Sequence, residues 1–89
     1  MPTIARFYGI LIQMFYDDHK PPHFHVRYGR AKALVRISDA QIIVGELPPT
    51  AARLAREWAV ARRGELQDNW RRGITHAPFE RIAGPDGND

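Results

Sequence analysis

Apolar and polar positions change rhythm once along this chain. The first half follows a spacing of two, and the second half a spacing of three and four. From Thr3 to Tyr16, β-branched and aromatic residues dominate. Even positions Ile4, Tyr8, Ile10, Ile12, Met14 and Tyr16 form a mostly apolar face broken by Arg6, and odd positions add Phe7, Leu11 and Phe15. A segment apolar on both faces predicts one long central strand, with Gly9 marking a bulge or a close backbone approach. Pro21 and Pro22 favour an extended connection. His23 to Tyr28 then reads as a second strand, Ala31 to Ile37 as a third and Gln41 to Gly45 as a fourth. The turn signals between them, Gly29-Arg30 and Ser38-Asp39, predict an antiparallel meander.

The second half reads as helix. Leu47-Pro48-Pro49-Thr50 stops the sheet and places proline in the first helical turn. Ala51 to about Arg63 is helical by composition, with Leu54, Trp58 and Ala61 on one face. Leu66, Trp70 and Ile74 make a second stripe. At about 100° per residue the two stripes lie more than a quarter-turn apart, so a break near Gly64 is needed for both to reach one core. Phe79 and Ile82 form a short apolar patch after Ala77-Pro78. The predicted class is α+β: a small four-stranded, mostly antiparallel sheet followed by C-terminal helices packed on one face. A single domain is expected over residues 1–83, with a disordered tail over 84–89.

Composition narrows the classes. Hydrophobic residues are 44% and charged residues 26%, an ordinary globular balance. There is no cysteine, hence no disulfide framework and no thiolate chemistry, which fits a reducing cytoplasm. No apolar run reaches membrane-spanning length, and no signal peptide is read at the N-terminus. Net charge is +3. The last six residues hold two acids and no base, so the remainder carries 13 basic against 8 acidic side chains. That excess attracts an acidic partner or nucleic acid.

Candidate chemistry concentrates in Asp17-Asp18-His19-Lys20-Pro21-Pro22-His23-Phe24-His25-Val26-Arg27, where three of the four histidines fall within seven residues. Alternation along a strand puts His23, His25 and Arg27 on one face and Phe24, Val26 and Tyr28 on the other. The apolar set belongs in the core, which leaves the His-His-Arg face open. Three readings follow. In the first, His23 and His25 are acid and base candidates and Arg27 holds a phosphate, with Arg30, Lys32 and Arg36 adding positive potential. Arg53, Arg56 and Arg63, on the polar face of the helix, extend the basic surface available to nucleic acid or an acidic partner. In the second, His19, His23, His25 and Asp17 bind a divalent transition metal such as zinc, with Asp18 close in sequence and Glu46 as a further carboxylate. Arg27 on the same face opposes a cation there. In the third, the cluster is structural and no cofactor is involved.

The opening Met1-Pro2-Thr3-Ile4-Ala5-Arg6-Phe7-Tyr8-Gly9-Ile10 resembles that of a bacterial family known as domain of unknown function 4160. The run Asp18-His19-Lys20-Pro21-Pro22-His23-Phe24-His25-Val26 matches its hallmark, and Gly45-Glu46-Leu47-Pro48 followed by Arg56-Glu57-Trp58 continues the match. The resemblance spans roughly residues 2 to 82. It implies a small bacterial protein encoded beside a second short protein, of domain of unknown function 2442, in a toxin–antitoxin-like or regulatory pair. A protein partner, and RNA or DNA as ligand, are its implications, and it supplies no catalytic residue. The expectation is therefore an interaction module of toxin–antitoxin type that acts through its His/Arg face on nucleic acid or a partner and can cleave RNA. A metal-binding protein or metal-dependent hydrolase is the alternative, and a non-catalytic partner-binding domain the third possibility. The two-faced apolar first strand also allows a homodimer.

Overall fold

The stretch expected to form one long strand folds back on itself at Tyr8 and Gly9. Both residues have positive φ, 51° and 78°, as a two-residue hairpin turn with the twist of its flanking strands requires. In the computed structural model, which describes residues 2–85, the sheet therefore has five strands rather than four. They are β1 (Thr3–Phe7), β2 (Ile10–Gln13), β3 (His23–Tyr28), β4 (Ala31–Arg36) and β5 (Ile42–Glu46). The order is β1-β2-β3-β4-β5, and every neighbouring pair is antiparallel. The apolar character on both sides of the predicted strand was the sum of two shorter strands, each with its own inward set.

Two helices follow, α1 (Pro49–Ala61) and α2 (Arg63–Thr75). Pro49 opens α1, where its missing N–H costs no hydrogen bond. The break between the helices falls at Arg62, with φ −112° and ψ 21°, two residues before the expected glycine. Arg62 is held there by tertiary contacts: its guanidinium donates to the carbonyl of Gly84 and reaches Glu65. α1 buries Ala51, Ala55, Trp58 and Ala59, with Leu54 at the margin and Ala61 exposed. α2 buries Leu66, Asn69, Trp70 and Gly73, while Ile74 is exposed. Gly73 takes the place expected of Ile74, because Phe79 and the carbonyl of Phe15 pack so closely against it that a Cβ would lie 3.3–3.4 Å from them.

One face of the sheet meets this helical layer. Ile10, Ile12, Phe24, Val26 and Val35 are fully buried there with Ile4 and Ala5. Trp58 lies 5.2 Å from the Phe7 ring and meets Phe24 edge-on at 5.9 Å. Tyr28, expected in the same inward set, is 39% exposed, because it sits at the end of β3 beyond the helical cover. The segment after α2 closes the core. Ile82 is buried and its N–H donates to Ile4, and the indole of Trp58 donates to Ala83. The buried Asn69 amide both donates to and accepts from the backbone of Glu80. Residues 84 and 85 of the expected tail are described and Gly84 is buried; residues 86–89 lie outside the described residues.

Of the described glycines, Gly45 meets the closest neighbour. Its φ is 82°, and a Cβ there would run into the carbonyl oxygen of Lys32 and lie 3.1 Å from the Cα of Ala33. Gly45→Ala is expected to cost about 2–4 kcal/mol, from backbone strain added to overpacking. Gly64→Ala, where nothing lies within 4 Å, should be neutral or stabilising by at most about 1 kcal/mol. Urea denaturation of the two variants beside the parent checks both.

Candidate functional site

The other face of the sheet is not covered by the helices. Residues directly opposite in an antiparallel pair share a face, so the register lays out this surface in rows. One row runs Arg6, Leu11, Arg27, Lys32 and Glu46 across all five strands. The next runs Gln13, His25, Leu34 and Val44. His23 and Arg36 begin a third. Between the first two rows lies a groove of about 380 Å³ walled by Phe15, His25, Arg27, Lys32, Leu34 and Val44. Its floor is largely apolar and its rim is basic.

The loop from Met14 to Pro22 closes one end of this surface. Asp17 takes a left-handed conformation, φ 55°, which aspartate tolerates better than most residues, and the Lys20–Pro21 peptide is cis. The Asp17 N–H donates to the carbonyl of Gly73 in α2, tying the loop to the helix. The two adjacent acids then part company. Asp17 turns outward and pairs with His76 at 2.8 Å. Asp18 turns inward, where its Oδ2 lies 2.9 Å from His25 Nε2 and 3.1 Å from His23 Nε2.

His23, expected on an open face, is buried, with a side chain only 5% exposed. Trp70 of α2 reaches round the end of β3 and lies 5.4 Å from its ring. His23 Nδ1 sits 2.7 Å from the Pro21 carbonyl, an acceptor, so this nitrogen carries a proton. His25 is 28% exposed and meets Phe15 edge-on at 4.5 Å. Of the two histidines expected to share proton transfer, only His25 fronts the groove. The backbone N–H of His19 donates to Asp18 Oδ1, which fixes the carboxylate orientation. Burial, the largest single influence on Asp18, raises its pKa. The hydrogen bonds from His25 and the His19 backbone, with the charges of His23 and His25, outweigh it and hold the carboxyl below its ordinary value.

The remaining expected residues disperse. His19 is exposed, and Glu46 lies at the far edge of the face beside Lys32. Arg30 is exposed in the β3–β4 turn. Arg36 is taken by Asp39 in a two-bonded pair at 2.7 and 3.0 Å. Arg53 pairs with Glu57, and Arg56 donates to the carbonyl of Ala40. Arg63 is exposed at the start of α2. Among the described residues, Arg6, Arg27 and Lys32 make no ion pair. Arg6 was read only as a break in an apolar face. Its place opposite Leu11 follows from the Tyr8-Gly9 turn, which the single-strand reading hid. Phe15 and Trp70, the apolar walls of the histidine cluster, carried no sequence signal beyond their hydrophobicity.

A five-stranded antiparallel meander backed by a two-helix layer, with a His-His-Asp cluster at one end of a bare sheet face, defines a small α+β fold. Residues 9–71 match the family model described as Domain of unknown function (DUF4160), and the chain belongs to that family. No curated protein and no solved structure matches the chain. Among the described residues no helix is long and apolar enough to cross a membrane.

The Arg36–Asp39 pair generates a pH expectation. The Asp39 carboxyl is held below its ordinary value, first by the hydrogen bond from Arg36 and against partial desolvation. A lowered folded-state value means that the pair stabilises the fold above the ordinary aspartate range. That stabilisation is lost as pH falls through the lowered value. In Arg36→Ala the Asp39 titration should move up toward the ordinary aspartate value, with a smaller loss of stability in acid. Carboxyl NMR shifts followed against pH check the first, and thermal melts at low pH the second.

Proposed function

We propose that the protein is a small interaction module of toxin–antitoxin type that binds a single strand of nucleic acid, RNA foremost, across the bare face of its sheet. The observation that carries this reading is the row of three cations without ion pairs, Arg6, Arg27 and Lys32, on one uncovered face. A cation spent on an internal carboxylate has little left for phosphate, as with Arg36 and Arg53. These three are unspent. The groove beside them supplies the second requirement of single-strand binding, a surface for base faces: Phe15, Leu34 and Val44 line it. His25 stands at one end of that groove, next to Arg27 in the adjacent row. The two-gene setting of the module rests on the family resemblance, and the helical side of the domain remains available to a protein partner.

Phosphate binding by such a row is salt-dependent, because each neutralised phosphate releases counterions. With about three phosphate contacts, the logarithm of affinity for a short RNA should fall against the logarithm of salt with a slope near −2. Arg27→Ala with Lys32→Ala should weaken binding about tenfold or more and flatten the slope by about 1 to 1.5. Arg53→Ala, on the opposite side of the molecule, should leave both unchanged. Fluorescence anisotropy with labelled RNA and DNA oligonucleotides reads all three. Absence of salt-dependent binding to either polymer would sink the proposal.

A further inference from the structure

The geometry points to a divalent transition-metal site formed by Asp18, His23 and His25, of zinc-binding chemistry and with one coordination position open to the groove. The inference stands on ligand geometry and is independent of the nucleic-acid reading. One nitrogen from each imidazole and one carboxylate oxygen all lie within 4.8 Å of one another. Tetrahedral ligands bonded at about 2.0–2.1 Å sit on the order of 3.3 Å apart. The observed separations from Asp18 Oδ2, 2.9 and 3.1 Å, need only open by a few tenths of an ångström.

The lone pairs argue for the same ion. His23 Nδ1 donates to the Pro21 carbonyl, which leaves Nε2 as the ring nitrogen turned toward Asp18. Nε2 lies 3.1 Å from Asp18 Oδ2, the oxygen that His25 Nε2 approaches at 2.9 Å, so both rings present a nitrogen to one carboxylate oxygen. One divalent ion satisfies the His23, His25 and Asp18 lone pairs together. The outer partners of a built site are also present. The Pro21 carbonyl fixes the tautomer of one imidazole, and the His19 backbone N–H orients the carboxylate.

Ligand type selects the metal class. Two imidazoles and one carboxylate suit zinc and its first-row neighbours better than magnesium or calcium, which prefer all-oxygen shells. Three protein ligands leave a fourth position open, as in reactive rather than purely structural zinc sites. Phe15 and Trp70 wall the cluster, and His25 is the ligand that borders the groove, so the open position faces that way. Asp18 supplies one negative charge, so the bound ion keeps a net positive charge that draws an anion to this position. Asp17 stands outside the site, paired with His76.

The test uses the untagged full chain, stripped of metal and titrated with Zn2+ against a chromophoric chelator. One Zn2+ per chain is expected. His25→Ala and Asp18→Asn should each weaken uptake by about a hundredfold or more. Both positions are partly exposed, and circular dichroism checks that each variant folds before its metal uptake is compared. His76→Ala should bind as the parent does. Co2+ in place of Zn2+ should give visible absorption bands that shift when inorganic phosphate is added. Equal Zn2+ uptake by the parent and the folded His25→Ala chain would overturn the inference, as would no uptake of Zn2+, Co2+, Fe2+ or Mn2+ by the folded parent. RNA binding measured on the metal-free chain reports on the other proposal separately.

Discussion

Everything in this molecule depends on the packing of Trp58 against one face of a thin sheet. Its indole meets Phe7 of β1 and Phe24 of β3, and its N–H reaches across to Ala83. One side chain thereby joins two strands, a helix and the closing segment. Truncating a buried tryptophan of this kind costs about 3–5 kcal/mol, a large share of the stability of a domain of 89 residues. The small alanines Ala51, Ala55 and Ala59 let α1 approach closely enough for the ring to insert.

That packing settles what the other face can be. Strand alternation leaves His25, Arg27, Lys32, Leu34 and Val44 on the side away from α1, because their neighbours are spent on the core. Two short helices cannot wrap both faces of five strands. α2 reaches round only far enough to place Trp70 beside His23. Among the described residues, the face stays bare because α1 and α2 are spent on the other side of the sheet. Its basic row and its groove are what remains exposed once the core is satisfied.

The histidine cluster owes its form to the loop rather than to the strand. β3 brings His23 and His25 to one side, and the loop sets Asp18 Oδ2 2.9 Å from His25 Nε2 and 3.1 Å from His23 Nε2, where the two rings converge. Asp18 faces inward because Asp17 takes a left-handed turn and is tied to Gly73 of α2. Asn69 and its double bond to Glu80 hold the closing segment against the same helix. The site thus draws on β3, on the loop before it and on α2. A disturbance in the helical layer would reach the cluster through Trp70 and Gly73.

The strands His23–Tyr28 and Ala31–Arg36, the proline-led start of α1, the inward Phe24 and Val26, and the clustering of histidines could all be read along the chain. Each rests on local spacing or on backbone chemistry. The Tyr8-Gly9 hairpin could not, because an aromatic in a left-handed turn carries none of the usual asparagine or aspartate signal, and both flanking strands read as one. The choice between Asp17 and Asp18 could not either, since neighbouring residues in an irregular loop have no fixed parity. Nor could the spending of Arg36 on Asp39 while Arg27 and Lys32 stay unpaired. By itself the sequence determined the α+β class, most of the elements and the neighbourhood of the site, because those depend on interactions between near neighbours. Only the tertiary structure decided which face stayed bare, which carboxylate joined the histidines and which cations remained unspent, because those depend on groups that meet through the folding of distant segments.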